Sequence, residues 1–174
     1  MKLKKIFLKK TNSTNDVAIR QIRKGTRNGI IISESQTSGR GRYGKKWISI
    51  KGNLFLSIFF EIKKNTLIKK ITKTNCLLIK KVLKKLTFEK ITIKPPNDLL
   101  IKKQKVCGIL QETIVYNKKK FMVVGVGINI TKSPIINNYP TSYINKYSKN
   151  KINKYSIFAN IKKTYEKSLT GNLI

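Results

Sequence analysis

The segment Gly39–Trp47 combines residue types that are suited to binding a phosphate or another anion. It has three glycines within six residues, so its backbone can turn several N–H groups toward one point. Two of the chain's five arginines, Arg40 and Arg42, lie between those glycines, and a guanidinium can hold a phosphate through two parallel hydrogen bonds. Lys46 adds a positive charge, and the indole ring of Trp47 adds a flat face. The segment therefore predicts an anion site, with a flexible basic loop or an RNA-binding Gly-Arg tract as the alternative.

Three further segments place polar side chains beside predicted strands. Two adjacent prolines stiffen the backbone before Asn97 and Asp98, although an Asx turn is equally typical of that pair. Lys105 begins a strand that contains Gly108, and a glycine inside a strand often marks the close approach of a ligand or of other protein atoms. On its own, one lysine among 34 is typical of a solvated surface. The segment Gly125–Asn129 has two more strand glycines, for which a β-bulge is the alternative.

The composition excludes several kinds of catalytic site. The chain contains no histidine, so Ser-His-Asp and Cys-His triads and HExxH zinc sites are ruled out. Seven acidic residues, dispersed along the chain, argue against a two-metal carboxylate cluster. Cys76 and Cys107 fit no metal-binding spacing and favour a reducing compartment. Any chemistry must therefore use cations, backbone N–H groups and at most one carboxylate.

The formal net charge of +32 favours acidic partners and non-specific binding to polyanions. The lysines, however, are spread through almost every segment and accompany abundant isoleucine and asparagine. That pattern is typical of a genome-wide codon bias, whereas a nucleic-acid surface concentrates basic and aromatic residues on one face. Codon bias is the favoured interpretation, and an adapted nucleic-acid surface is the alternative.

Hydrophobic periodicity predicts an α+β fold, with helices packed on a mixed or mainly antiparallel sheet. One helix begins at the cap Ser13 and ends before Gly25, a second covers Thr66–Leu86, and a third spans Ile157 to Leu169. The predicted strands are Gly29–Ser33, Leu54–Phe60, Phe88–Lys94, Leu99–Ile101, Val106–Tyr116 and Phe121–Ile130. Residues 131–150 have no regular period.

The length of 174 residues is typical of a single domain with a real hydrophobic core. The basic N-terminus has an apolar run of three residues, Ile6 to Leu8, which is too short for a signal peptide. No stretch approaches the roughly 18 apolar residues of a membrane span. A soluble cytoplasmic protein without membrane association is expected.

The order and spacing of these segments resemble the catalytic signature of the biotin–protein ligase family. The matching residues, in chain order, are Ser13-Thr14-Asn15, Gln36, the Gly39–Trp47 loop, Lys94 with Asn97-Asp98, Lys105 with Gly108-Ile109-Leu110, and Gly125–Asn129. The resemblance runs from about Ser13 to Asn129 and implies the class II synthetase-like fold of biotin and lipoate ligase catalytic domains.

The resemblance implies that the protein activates biotin with ATP to biotinyl-5′-AMP and transfers it to a lysine of an acidic biotin carboxyl carrier domain of acetyl-CoA carboxylase. Biotin would be bound by Ser13, Thr14, Asn15, Gln36, Arg40, Gly41, Arg42 and Lys105. ATP and the adenylate would be bound by Gly39, Arg40, Arg42, Lys46, Trp47, Asn97 and Asn129. Lys105, Arg42 and Asp98 would be catalytic, with Mg²⁺ or the incoming amine oriented by Asn97 or Asp98.

The chain also departs from the family pattern. Pro95 stands where the family usually has tryptophan, and Gly44-Lys45 where a second arginine is common. No helix-turn-helix precedes Ser13, so no operator binding is expected, and the small C-terminal β-barrel of many relatives is expected to be absent. A lipoate-type ligase, a degraded biotin-binding remnant and a basic RNA-binding protein remain the alternatives.

Overall fold

A computed structural model describes residues 1–171, which form one seven-stranded sheet covered on both faces by helices. The strands are β1 (Lys4–Leu8), β2 (Asn28–Ser33), β3 (Leu54–Ile62), β4 (Ile91–Lys94), β5 (Asp98–Ile101), β6 (Gln104–Tyr116) and β7 (Lys119–Ile128). Their order is β1-β2-β3-β7-β6-β5-β4, with β1 parallel to β2 and the other pairs antiparallel. The predicted α+β class with a mainly antiparallel sheet is confirmed.

Three α-helices within residues 1–171 cover the sheet: α1 (Thr14–Arg23), α2 (Ile68–Lys84) and α3 (Lys154–Thr170). Helix α1 packs on one face through a cluster that includes Ala18, Ile22 and Phe59. Helices α2 and α3 pack on the opposite face, where Ile79 and Tyr165 belong to the larger core. No helix in this part of the chain is long and apolar enough to cross a membrane.

Turn chemistry explains how the strands connect. Lys102-Lys103 joins β5 to β6 and Asn117-Lys118 joins β6 to β7, and all four residues have positive φ angles between 46° and 63°. Two-residue hairpins with positive φ at both positions match the right-handed twist of antiparallel strands. Helix α1 ends at Arg23 with Lys24 as its C-cap, and the following residue, Gly25, has the positive φ of +84° that is typical of this position.

Two strand predictions needed correction. Strand β1 was not predicted, since the five residues Lys4–Leu8 form an edge strand in which polar and apolar side chains alternate only briefly. The predicted strand Phe88–Lys94 is shorter, because regular pairing with β5 begins at Ile91.

Both cysteines are buried and free, as expected from their spacing. Burial, together with the negative charge of Asp98, raises the pKa of Cys76 to about 11. Burial likewise raises the pKa of the fully buried Cys107. Since the thiolate is the reactive form, both groups behave as core side chains at neutral pH.

Residues 131–150, predicted to be irregular, contain one short 3₁₀ turn at Ile144–Tyr147 and are anchored to the sheet by Asn53. The buried Asn53 Oδ1 accepts hydrogen bonds from the backbone N–H groups of Ile130 at 2.9 Å and Thr131 at 3.1 Å. Its Nδ2 donates to the carbonyl of Lys132 at 2.8 Å. One side chain therefore fixes the direction in which the chain leaves β7.

Replacing this amide tests the anchor. Asn53→Ala leaves buried backbone groups without partners, so we expect the free energy of unfolding to fall by about 2–3 kcal/mol. Asn65→Ala, at an exposed turn, is the matched control and should change it by less than about 0.5 kcal/mol. Urea titration measures both, and an Asn53→Ala protein as stable as the control variant would contradict the anchoring role.

Candidate active site

A cavity of about 1040 Å³ lies on the face of the sheet that carries α1. Nearly all the site residues predicted from the sequence line it: Ser13, Thr14, Asn15, Gln36, Arg40, Gly41, Arg42, Lys46, Trp47, Asn97, Asp98, Lys105 and Asn129. Gly39 is the exception, since it closes the base of its loop by accepting a hydrogen bond from the Trp47 N–H at 2.8 Å. Segments separated by more than 110 residues therefore meet in one place.

The floor of the cavity consists of strand backbone without side chains. A Cβ on Gly127 would lie 2.3 Å from the Trp47 ring, and one on Gly108 would lie 2.6 Å from it. A Cβ on Gly125 would lie 2.4 Å from Asn15 Oδ1. The register between β6 and β7 runs without a shift through all three positions, so they are not β-bulges. The glycines are required because two side chains lie directly against the sheet.

The loop that carries the glycines and arginines folds back on itself. The Gly41 N–H donates to the Lys45 carbonyl at 2.6 Å, and Arg40 and Lys46 form an isolated antiparallel bridge. The expectation that the glycine amides point toward an anion is therefore wrong for Gly41 in this conformation. Arg42 lies at the tip, where its guanidinium donates to the Tyr43 hydroxyl at 2.8 Å and stacks on that ring. Its charge remains close to solvent at the cavity rim.

Arg40 links the loop to α1 and β6 through two carboxylates. Its guanidinium lies 2.8 Å from Asp16 Oδ1 and contacts both oxygens of Glu112 at 3.0 Å. Burial lowers the pKa of Arg40, but the hydrogen bonds and charges of Glu112 and Asp16 outweigh burial and raise it overall. Glu112 was not singled out in the sequence, although it is one of only seven acidic residues. The charge of Arg40 is thus balanced within the protein.

A chain of hydrogen bonds positions the start of α1. Gln36 Oε1 accepts from the Thr14 N–H at 2.9 Å and from the Thr14 hydroxyl at 3.1 Å. Ser13 occupies the N-cap position as predicted, but its side chain makes no capping bond, so Gln36 takes that role. The Ser57 hydroxyl lies 2.5 Å from Asn15 Oδ1, to which it donates. Ser57 was missed, and its signal is a lone hydroxyl in the middle of an otherwise apolar buried strand.

Asn15 connects this chain of hydrogen bonds to the Arg40 pair. Its Nδ2 donates to Glu112 Oε2 at 2.6 Å, while its carbonyl oxygen accepts from Ser57. The side chain is therefore held at both ends beneath the cavity and against Gly125. Buried polar networks in which each member has a partner fix one arrangement of side chains.

Lys105 and Asp98 form an ion pair at the other end of the cavity. Lys105 Nζ lies 2.9 Å from Asp98 Oδ1, and both side chains are more than four-fifths buried. The ammonium also lies 5.4 Å from the ring centroids of Trp47 and Tyr139. The sequence predicted these two residues as site members seven positions apart, and the antiparallel β5–β6 hairpin brings them together.

Tyr139 was not predicted, because it lies in the segment without regular period. Its hydroxyl donates to Asp98 Oδ2 at 2.6 Å. Burial, the hydrogen bond and the charge of Asp98 all raise the pKa of Tyr139, so its phenol stays protonated at neutral pH. Pro140 and Ser142, which follow Tyr139 in the chain, hold the backbone of Lys105. The Lys105 N–H donates to the Pro140 carbonyl, and the Lys105 carbonyl accepts from the Ser142 N–H, each at 2.9 Å. One short segment thus positions both members of the ion pair.

The two predicted asparagines have different surroundings. Asn97 lines the cavity, and its carbonyl accepts the Ile109 N–H at 2.9 Å. The buried Asn129 uses its Nδ2 to donate to the Ser142 carbonyl at 3.1 Å, and its Oδ1 lies 3.5 Å from Asn53 Nδ2. In this conformation the Asn129 amide therefore supports the segment that carries Tyr139.

Similarity to known proteins identifies the family of this chain. A model of the Biotin/lipoate A/B protein ligase family matches residues 6–129. The chain belongs to this family. The resemblance drawn from the motifs is thereby confirmed, and the match includes every segment that forms the cavity floor and the two ion pairs.

The bifunctional ligase/repressor BirA of Escherichia coli is 34% identical over 122 residues, which are 68% of this chain and 38% of that protein. The chain thus spans less than half of this ligase relative. Among solved structures, the Leishmania major biotin protein ligase in complex with biotinyl-5-AMP has a TM-score of 0.80 at 23% identity, covering 92% of this chain and 72% of that one. The Aquifex aeolicus biotin protein ligase in complex with biotin and ATP has a TM-score of 0.79 at 23% identity, covering 96% and 70%. At such identities the two structures establish a shared fold.

The contact between Trp47 and the sheet can be tested with the chain's single tryptophan as the reporter. Gly127→Ala places a methyl group 2.3 Å from the ring, so we expect the indole to move toward solvent and its fluorescence emission to shift to the red. Overpacking of this kind should also cost about 1–3 kcal/mol of stability. The control is Gly171→Ala, where the nearest atom is at an ordinary 3.4 Å. Unchanged emission from Gly127→Ala would show that the ring does not lie on β7.

Proposed function

We propose that this ligase-family protein joins biotin to ATP, releases pyrophosphate, and transfers biotin from biotinyl-5′-AMP to a lysine of a carrier protein. The observation that carries this proposal is the cavity in which Lys105 and the Trp47 ring lie against strand glycines, next to a basic glycine loop. The proposal is further supported by the relatives whose names describe biotin ligases.

In the first half-reaction, a carboxylate oxygen of biotin attacks the α-phosphorus of ATP, and the bond to pyrophosphate breaks. Two anions must approach each other, so cations and aimed N–H groups are what lower the barrier. Lys105 is the cation best placed to follow the developing charge, because it can exchange Asp98 for the oxygens that join biotin to phosphate. We propose that Tyr139 then keeps Asp98 in position by its hydrogen bond.

The biotin ring would lie at the α1 end of the cavity. Polar groups of Ser13, Thr14, Asn15 and Gln36 line that end, and Leu110, opposite Gly125 in the β6–β7 register, contributes apolar surface. The Trp47 indole N–H is buried and has no hydrogen-bond partner among residues 1–171. Because an unpaired buried donor costs about 1–3 kcal/mol, a ligand that accepts from it gains affinity.

The adenylate would lie at the loop end of the cavity. Arg42 and Lys46 are the loop cations proposed to bind its phosphate, with Gly39 and Gly41 shaping the loop, and Asn97 and Asn129 lining the nucleotide side. We propose that Arg40 acts mainly by holding the loop to Asp16 and Glu112, since its charge is balanced there. Closure of the loop would exclude water, which hydrolyses the mixed anhydride.

In the second half-reaction, a lysine amine of the carrier attacks the biotinyl carbonyl carbon, the bond to the AMP oxygen breaks, and the amine loses a proton. A free lysine has a pKa of about 10.4, so a nearby base assists the loss of that proton. Asp98 is the proposed acceptor, with water as the route to solvent. The +32 charge favours a carrier with an acidic surface.

Mg²⁺ is proposed to enter with ATP as part of that substrate. Among the described residues there is no group of three or more His, Cys, Asp or Glu side chains that could hold a metal ion. Both carboxylate oxygens of Asp98 already have partners, so this residue is not arranged as a resident metal ligand.

The direct test is to incubate the protein with labelled biotin, ATP, Mg²⁺ and an isolated biotin carboxyl carrier domain. We expect label on the carrier, dependent on ATP and on the acceptor lysine. A carrier whose acceptor lysine is changed to arginine provides the control. No label on the intact carrier at any protein concentration would contradict the proposal.

Lys105→Ala should nearly abolish adenylate formation, measured as biotin-dependent pyrophosphate release. Loss of one preorganised donor at a developing charge costs about 3–4 kcal/mol, or roughly 100- to 1,000-fold in rate. The matched control is Lys103→Ala, two residues away in an exposed turn, which should retain activity. A rate for Lys105→Ala within about tenfold of the wild type would show that Lys105 is not catalytic.

Arg42→Gly should loosen the intermediate more than it slows its synthesis. Escaping biotinyl-5′-AMP acylates any exposed amine, so we expect this variant to label bystander proteins such as serum albumin. Lys45→Gly adds the same flexibility to the loop while keeping the guanidinium, and it should label the carrier alone. Equal bystander labelling by both variants would remove the retention role proposed for Arg42.

A further inference from the structure

The outer face of α2 carries two groups of lysines, one toward each end of the helix, with the exposed Leu77 between them. Its lysines are Lys69, Lys70, Lys73, Lys80, Lys81 and Lys84, followed by Lys85 at the C-cap. At 100° per residue these side chains fall on one side of the helix, opposite the buried Ile71, Ile79 and Leu83. Six of the seven are exposed, and Lys80 is half-buried. We call these seven residues the lysine face.

Within residues 1–171, the lysine face has no ion-pair partner. Helix α2 contains no acidic residue. All seven acidic side chains of the chain form ion pairs with other cations: Asp16 and Glu112 with Arg40, Glu34 with Lys154, Glu61 with Lys119, Glu89 with Lys102, Asp98 with Lys105, and Glu166 with Lys162. Neighbouring lysines therefore repel one another, and the binding of an anion from outside the protein would reduce this repulsion.

The dimensions of the lysine face fit a nucleic-acid backbone. At 1.5 Å per residue, the distance along the helix from Lys69 to Lys85 is about 24 Å. Phosphates on one strand of a duplex recur every 3.4 Å along its axis and wind around it, so the lysine face can approach those phosphates of both strands that lie on the side facing α2. A small cleft of about 80 Å³ lies between α2 and α3. It is lined by Lys81, Lys85, Asn160 and Thr164 among others, so one phosphate could bind there.

The residue types on α2 suit phosphates better than bases. Lysine acts as a point charge, and the helix has no arginine, glutamine or aromatic residue. Sequence-specific contacts in the major groove combine arginine or lysine with asparagine or glutamine, and binding of single strands uses aromatic stacking. The one asparagine of the helix, Asn75, is buried.

We propose that the lysine face binds the phosphate backbone of double-stranded nucleic acid without contacting its base sequence. Helix α2 lies on the face of the sheet opposite α1 and the cavity, so a bound duplex leaves the cavity open. The inference is independent of the proposed ligase activity. The proposal assigns binding to one localised surface, whereas codon bias alone spreads the positive charge evenly over the protein.

The test compares two variants of equal net charge. In the first, Lys69, Lys70, Lys73, Lys81, Lys84 and Lys85 are changed to glutamine, which has a similar helix propensity. In the second, the scattered exposed residues Lys2, Lys5, Lys9, Lys24, Lys118 and Lys149 are changed to glutamine. Fluorescence anisotropy of a labelled 20-base-pair duplex gives the dependence of log K on log salt concentration for each protein.

The lysine-face variant should lose up to about 5 from the magnitude of the salt slope, since six lysines are removed and each phosphate contact contributes about 0.9. The scattered variant should lose less than about 1. Equal losses in the two variants would overturn the proposal and leave binding as a property of net charge. An unchanged slope in the lysine-face variant would also overturn it.

Two further measurements keep the result interpretable. A smaller pair of variants replaces a sixfold variant that does not fold. One changes Lys81, Lys84 and Lys85 to glutamine, and its control changes Lys9, Lys24 and Lys149 to glutamine. The difference in salt slope between these two variants should be about half of that between the sixfold variants. Poly-glutamate at equal charge concentration should displace the duplex poorly from the wild type. Displacement as effective as that by unlabelled duplex would point to an acidic protein partner and overturn the assignment to nucleic acid.

Discussion

The contact of two side chains with bare strand backbone is the constraint on which the cavity depends. Trp47 lies against Gly127 and Gly108, and Asn15 lies against Gly125, at distances that leave no space for a Cβ. This contact joins the basic loop, the start of α1 and the centre of the sheet. Without it, only the ion pairs of Arg40 with Asp16 and Glu112 would hold the loop in a fixed relation to Lys105. Glycine serves here by being small, since none of these three positions has a positive φ.

The second constraint is electrostatic. In a protein with a net charge of +32, Lys105 inside the cavity and the more exposed Arg40 at its edge are both paired with carboxylates. Removing one partner of the largely buried Lys105–Asp98 pair leaves an uncompensated charge, so this pair also stabilises the arrangement of β5 and β6, which supply it. We propose that a substrate anion replaces the Asp98 carboxylate at Lys105, so that the ammonium keeps a negative partner. Arg42 is half-buried and Lys46 is exposed, and both are proposed to bind phosphate.

Sequence reasoning found what depends on local pattern. The apolar periods of α1, α2 and α3 and the two hairpins follow from spacing and turn residues, and the site loop was recognised because two of five arginines lie between glycines. It missed what depends on contacts between distant segments. Ser57, Glu112 and Tyr139 carry no local signal for their partners, which lie 42, 72 and 41 residues away for the Asn15, Arg40 and Asp98 contacts. Strand β1 was missed because an edge strand of five residues shows too little alternation.

The central claim is that this cavity activates biotin as an adenylate, and exchange of labelled pyrophosphate into ATP tests it most directly. The reaction needs no carrier, so it reports on the cavity alone. The account predicts exchange that requires biotin, saturates with it, and is far slower when lipoate replaces biotin. Exchange that is absent with biotin, or that proceeds equally well with lipoate, would contradict the claim.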